Sequence, residues 1–168
     1  MRSNLFAATL TIVLGVVSPI VSAIGFPSVV AVQTVDNRIR EADRLRQQGK
    51  EQFQMGQVEV ALQSWQQALK LYRETKNRQG EGKTIHNLGV AFGSRGSDQQ
   101  AIDYFEQSLA IARELGNRDH ERLALNYMGL ILERQHKLDL AIGFYRQGYF
   151  ILKSFLSVLS VKLAIRCA

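Results

Sequence analysis

Apolar and small residues fall in a register of 40 along this chain. Leu45, Ile85 and Leu125 recur at that interval, as do Gly49, Gly89 and Gly129, then Ala61, Ala101 and Ala141, then Trp65, Phe105 and Tyr145. Within each unit the aromatic follows the alanine at i+4, and a second small residue (Ala68, Ser108 or Gly148) follows the aromatic at i+3. Residues three and four apart lie side by side on a helix, so this spacing marks one helix face. Polar turns at Asn77-Arg78 and Asn117-Arg118 close the first two units. Residues 42–81 and 82–121 agree at 10 of 40 positions, and Gln67, Gln107 and Gln147 carry the register into a third unit. A fixed period of this size predicts an array of helical hairpins.

The packing follows from the side-chain sizes. A glycine in the first helix of a unit (helix A) and an alanine in the second (helix B) let two antiparallel helices approach closely, and the aromatic fills the space beside that contact. Each hairpin leaves an apolar face uncovered, so neighbouring hairpins must stack to bury it. Ser97 with Gln100 reads as a capping box opening helix B of the second unit. His136 falls in the turn between the helices of the third.

This register resembles the tetratricopeptide repeat family, whose pattern runs Trp-x2-Leu-Gly-x2-Tyr, then Ala-x3-Phe, then Pro. The second unit fits best, with Ile85, Leu88, Gly89, Phe92, Ala101 and Phe105. The first keeps Leu45, Gly49, Ala61 and Trp65 but places Gln48 and Gln52 at apolar positions, and the third has Leu125, Met128, Gly129, Leu132, Ala141 and Tyr145. Arg73, Arg113 and Lys153 stand where the family has its closing proline. The unit is longer than the usual length of about 34 residues, similar to the variant of kinesin light chains and many bacterial signalling proteins. HEAT and armadillo arrays have a period near this length, but nothing positive here favours them. The resemblance covers residues 38–153 and implies an all-α, right-handed solenoid of three stacked hairpins, with a trailing apolar helix over 154–168.

The two ends differ from the repeats. Residues 5–35 carry no charge, and Leu5 to Val17 is almost wholly apolar behind a start that includes Arg2, the outline of a secretory signal. Val21-Ser22-Ala23 offers a cleavage site, giving a signal peptide at 1–23 and a linker at 24–37; Val29-Val30-Ala31 is a second candidate site, and a retained membrane anchor is the competing reading. The expected location is therefore exported, periplasmic or extracellular, with membrane anchoring as the alternative. Beyond Gly148 the third unit runs on through apolar residues without a turn, interrupted by Lys153 and Lys162. A terminal repeat needs a polar outer face to stay soluble, and this one lacks it. The tail is read as a helix that docks on the array, as a self-association or membrane-surface patch over 149–165, or as sequence foreign to the repeat brought in by a change of reading frame.

Length and charge narrow the classes. A chain of 168 residues holds one domain. Its net charge of +6 is dispersed among Glu and Gln and forms no basic stripe, which argues against nucleic acid as partner. The single cysteine, Cys167, permits no internal disulfide.

Motifs for chemistry fail on their second element. Gly80-Glu81-Gly82-Lys83-Thr84 reads like the end of a phosphate-binding loop, but Asn77 stands where the first glycine is required, and a helix precedes it instead of a strand. His120-Glu121 begins like a metalloprotease helix, but Ala124 replaces the second histidine. No two of His86, His120 and His136 have ligand spacing, and no serine, threonine or cysteine sits in a nucleophile context. The expectation is a protein without enzymatic activity and without a cofactor or metal.

What the family resemblance implies is a groove. Helix A residues near the start of each unit line a concave surface that accepts an extended peptide or partner helix; carried over by position, they are Asp43, Arg46, Lys50, Lys83, His86, Asn87, Val90, Asn126, Leu130 and Glu133. The basic Arg46, Lys50 and Lys83 suit an acidic peptide or a C-terminal carboxylate, and Asn87 and Asn126 suit a ligand backbone. Val90 and Leu123 break the full carboxylate clamp of chaperone-binding members. The expected function is a protein–protein interaction module. The alternative is the N-terminal fragment of a larger repeat protein, suggested by stretches such as Gln107 to Glu114, whose lost C-terminal domain was a caspase-like (CHAT) protease.

Overall fold

The computed structural model describes residues 29–166, and side chains over 34–154. Six helices follow one another: α1 (Val29–Gln54), α2 (Val58–Glu74), α3 (Arg78–Ser94), α4 (Asp98–Glu114), α5 (Arg118–Arg134) and α6 (Leu138–Arg166). Among the described residues no strand occurs. The expected signal segment 1–23 lies outside them, and the described part of the expected linker, residues 29–37, is helical because no Gly or Pro interrupts the chain before Gly49.

The 40-residue unit divides into two halves of 20 residues, each a helix of 17 residues and a turn of three. Gly56, Lys76, Gly96, Gly116 and His136 all have positive φ, one at each turn. In each turn the N–H of that residue bonds the carbonyl three back, and the next N–H bonds the carbonyl five back, as Gly56 to Phe53 and Gln57 to Gln52. This is the Schellman closure, which satisfies carbonyls orphaned at a helix end and favours glycine. His136 lies in the third hairpin's turn, as its position in the register requires.

Asn77 and Asn117 cap α3 and α5, their side chains accepting from the N–H groups of Gly80 and His120. The expected Ser97–Gln100 capping box is absent: Ser97 makes no side-chain cap bond. Its ψ of 63° differs from the 83° and 87° of the two asparagines.

Glycine and aromatic residue meet directly between the helices of each hairpin. A Cβ on Gly49 would stand 2.5 Å from Trp65 Nε1, one on Gly89 2.8 Å from Phe105 Cε1, and one on Gly129 2.7 Å from Tyr145 Cε1. The glycine therefore accommodates the ring itself, while Ala61, Ala101 and Ala141 are buried beside it. Trp65 Nε1 donates to the Arg46 carbonyl and Tyr145 Oη to Glu133.

Ion pairs join successive hairpins at the place of the missing proline. Arg73 Nε donates to Glu81 at 3.0 Å and Arg78 to the same carboxylate at 2.6 Å. One unit on, Arg113 and Arg118 hold Glu121 at 3.0 and 2.8 Å. Burial pushes the Glu121 carboxyl up, but the bonds from Arg113 and Arg118 outweigh it and leave its pKa below the usual value.

The third hairpin lacks such a closure. α6 continues through Leu156, the register position of Lys76 and Gly116, because no Gly, Pro or Asn stands between Tyr149 and Arg166 to break it. The expected trailing helix is thus the continuation of helix B in the third unit. Among the described residues no helix is long and apolar enough to cross a membrane.

Candidate binding groove

The first helices of the units, α1, α3 and α5, lie side by side and form the inner face of the stack. The second helices support that face from behind through Trp65, Phe105 and Tyr145.

Between α3 and α5 this face opens into a cavity of about 190 Å³. Gly89, Val90, Gly93 and Ser94 come from α3, Tyr127, Leu130, Ile131 and Arg134 from α5, and Phe105 from α4 forms the floor. Phe105 and Tyr127 stack with ring centroids 5.2 Å apart and planes 20° off parallel. Leu130 is 55% exposed, a large apolar side chain facing solvent at the mouth. Arg134 closes one end by donating to the Gly93 carbonyl and pairing with Asp98.

Toward the first unit the face turns polar. Arg46 bonds Tyr72 Oη at 3.3 Å and pairs with Asp43 at 3.6 Å, while Tyr72 Oη donates to Asp43 at 2.6 Å. Burial, then the bond to Asp43, pushes the Tyr72 phenol up to about 12, so it remains a donor throughout the working range. Lys50 is exposed and Lys83 half-buried. Burial lowers the His120 pKa, and the charges of Lys83 and Arg46 lower it further. Arg46 and Lys83 thus share one positive region beside a neutral His120, although the three come from different helices.

His86 differs from its expected place. It is buried, its ring 5.3 Å from Phe105, 5.1 Å from Tyr127 and 6.3 Å from His120, so it supports the groove floor and does not line the mouth. Burial, assisted by His120, lowers its pKa to about 4. The reason is lateral stacking: α5 brings His120 and Tyr127 against this position of α3. Nδ1 of His86 and Nδ1 of His120 are both buried without a hydrogen-bond partner.

The remaining expected residues divide. Val90 and Leu130 line the cavity. Asn87 is half-exposed, whereas Asn126 is turned onto α6, its Oδ1 2.6 Å from where a Cβ of Gly148 would stand. Glu133 is engaged by Tyr145. Gly93, Tyr127 and Arg134 join the cavity although the family pattern does not single them out. The signal for Gly93 is in the register, since the equivalent positions hold Phe53 and Glu133 and only the middle unit has no side chain there. Among the described residues no cluster of three or more His, Cys, Asp or Glu could hold a metal.

A model of the family described as tetratricopeptide repeat matches residues 51–114 and 83–154. No curated protein matches the chain. Among solved structures, the TPR domain of Arabidopsis FLU superposes with TM-score 0.65 at 22% identity, covering 70% of this chain and 98% of that one. Aspartyl phosphate phosphatase F from Bacillus subtilis superposes with TM-score 0.67 at 22% identity, over 74% of this chain and 32% of that one. MamA does so with TM-score 0.58 at 18% identity, over 71% of this chain and 63% of that one. This chain therefore spans a minor part of the phosphatase and less than two thirds of MamA, and at these identities the likeness concerns the fold.

Proposed function

The chain belongs to the tetratricopeptide repeat family, and from that premise we propose that it is a non-enzymatic interaction module whose inner face binds an extended segment of a protein partner. The observation that carries this reading is the apolar cavity between α3 and α5, with Leu130 exposed at its mouth and a positive region formed by Arg46 and Lys83 on the same face. Such an arrangement suits a peptide that places one apolar side chain over Phe105 and an acidic group toward Arg46, Lys50 and Lys83. Desolvation of the apolar anchor supplies affinity, and charge-assisted bonds fix direction. An exported location, supported by the uncharged run over residues 5–35, belongs to the same proposal.

The test starts from a displayed peptide library selected on the full chain, followed by fluorescence anisotropy with the selected peptides. Leu130→Glu and Arg46→Glu with Lys83→Glu should each weaken binding at least about tenfold, a loss of roughly 1.4 kcal/mol, while the helical melting transition stays in place. Peptides that bind all variants equally well would remove the inner face as the site.

A further inference from the structure

The stacking face of the first two units is covered by the next hairpin, and in the third it is open. Leu62 and Leu69 of α2 are 5% and 8% exposed; their register equivalents on α6, Ile142 and Tyr149, are 53% and 63% exposed. Leu138 and Leu152, equivalent to Val58 and Tyr72, extend the same stripe, and α6 runs on past residue 156 where a turn would otherwise bring a covering helix back. These four residues recur at spacings of four, seven and three, so they form one continuous apolar seam.

We propose that this seam is a dimer interface, occupied by α6 of a second copy running antiparallel about a two-fold axis near Arg146. Two observations select that occupant. A second copy cannot stack head to tail, because α1 presents Arg40, Arg44, Gln48 and Glu51 where α3 presents Gly80, Thr84, Leu88 and Ala91. Burying those charged groups against Ile142 and Tyr149 would leave them unpaired. Charge along the seam is also complementary toward its ends: Asp139 and Lys153, both exposed, stand seven residues to either side of Arg146, which meets its own copy near the axis. In an antiparallel pair Asp139 of each copy meets Lys153 of the other, while Ile142 lies beside the partner's Tyr149. The contact is isologous and closes on itself, so it makes dimers and not filaments. It leaves the inner face of both copies free and is independent of what that face binds.

Sedimentation velocity on the full chain over a concentration series tests this. The chain should sediment as a monomer–dimer equilibrium, and Ile142→Lys with Tyr149→Lys should abolish the dimer without loss of helical circular dichroism, since both residues are exposed. Asp139→Lys and Lys153→Asp should each weaken dimerisation about tenfold by replacing two attractive pairs with repulsive ones. The double exchange should restore it, an outcome that nonspecific stickiness would not produce. A monomer at all concentrations, a dimer indifferent to the α6 substitutions, open-ended assembly, or a monomer that associates only with lipid vesicles would each overturn the proposal.

Discussion

The ring of Tyr72 lies directly over Gly80: a Cβ on that glycine would stand 2.3 Å from Tyr72 Cε1. One unit further on the sizes are exchanged, with Ala112 in the register of Tyr72 and His120 in that of Gly80, both lining one small cavity. The two junctions between hairpins therefore fill the same space from opposite sides. Tyr72→Ala should cost about 3–4 kcal/mol by leaving a cavity, and it also removes the bonds to Asp43 and Arg46. Gly80→His alone should be destabilising through overlap, but Tyr72→Ala with Gly80→His should be more stable than the sum of the two losses by about 1–2 kcal/mol. Urea unfolding of the four proteins measures that coupling, and additivity would refute the size exchange.

The Arg113–Glu121–Arg118 clamp should be asymmetric. Glu121 has 8% side-chain exposure, whereas both arginines are more than half exposed. Glu121→Ala frees arginines that water can solvate and should cost about 1–2 kcal/mol. Replacing both arginines with alanine strands a buried carboxylate and should cost roughly 3 kcal/mol, shifting its pKa upward. Equal losses in chemical denaturation would show that the carboxylate is not effectively buried.

Two glycines of the third hairpin should respond oppositely to alanine. At Gly129 the new Cβ meets the Tyr145 ring, so Gly129→Ala should destabilise by about 1–2 kcal/mol after the gain in helix propensity is counted. At Gly143 nothing lies within 4 Å, and Gly143→Ala should stabilise by about 0.5–1 kcal/mol. Thermal unfolding of both variants decides the matter through the sign of the change.

Acid should weaken the junction of the second and third units. His86 is neutral when folded, with its pKa lowered from 6.5 to about 4 by burial and by His120. The unfolded chain therefore binds a proton that the folded chain refuses. Stability from this residue is complete above about pH 6.5 and falls as pH drops toward about 4, by roughly 3 kcal/mol in all. His120, also lowered, acts in the same direction. His86→Phe, which keeps an aromatic ring against Phe105 and Tyr127, should flatten the pH dependence of unfolding over that interval. An unchanged slope would show that His86 is solvated.

Parts of the groove are legible in the amino-acid order because they repeat. Val90 and Leu130 occupy equivalent positions and both reach the cavity. His86 shares a register position with Arg46 and Asn126, yet the three side chains go to different places: Arg46 to Tyr72, His86 under Tyr127, Asn126 onto Gly148. Register identifies a position on a helix, whereas the neighbouring unit decides what covers it.

Spacing along the chain dictates the helical repeat, the pairing of glycine with aromatic residue and the open apolar face of the third unit. Those depend on relations within one helix or one hairpin, where separation along the chain nearly sets separation in space. Packing of hairpin on hairpin adds the rest. The bonds from Arg73 to Glu81 and from Arg113 to Glu121, the histidine pair 34 residues apart and the cavity over Phe105 arise only when hairpins stack, because each combines side chains from different hairpins.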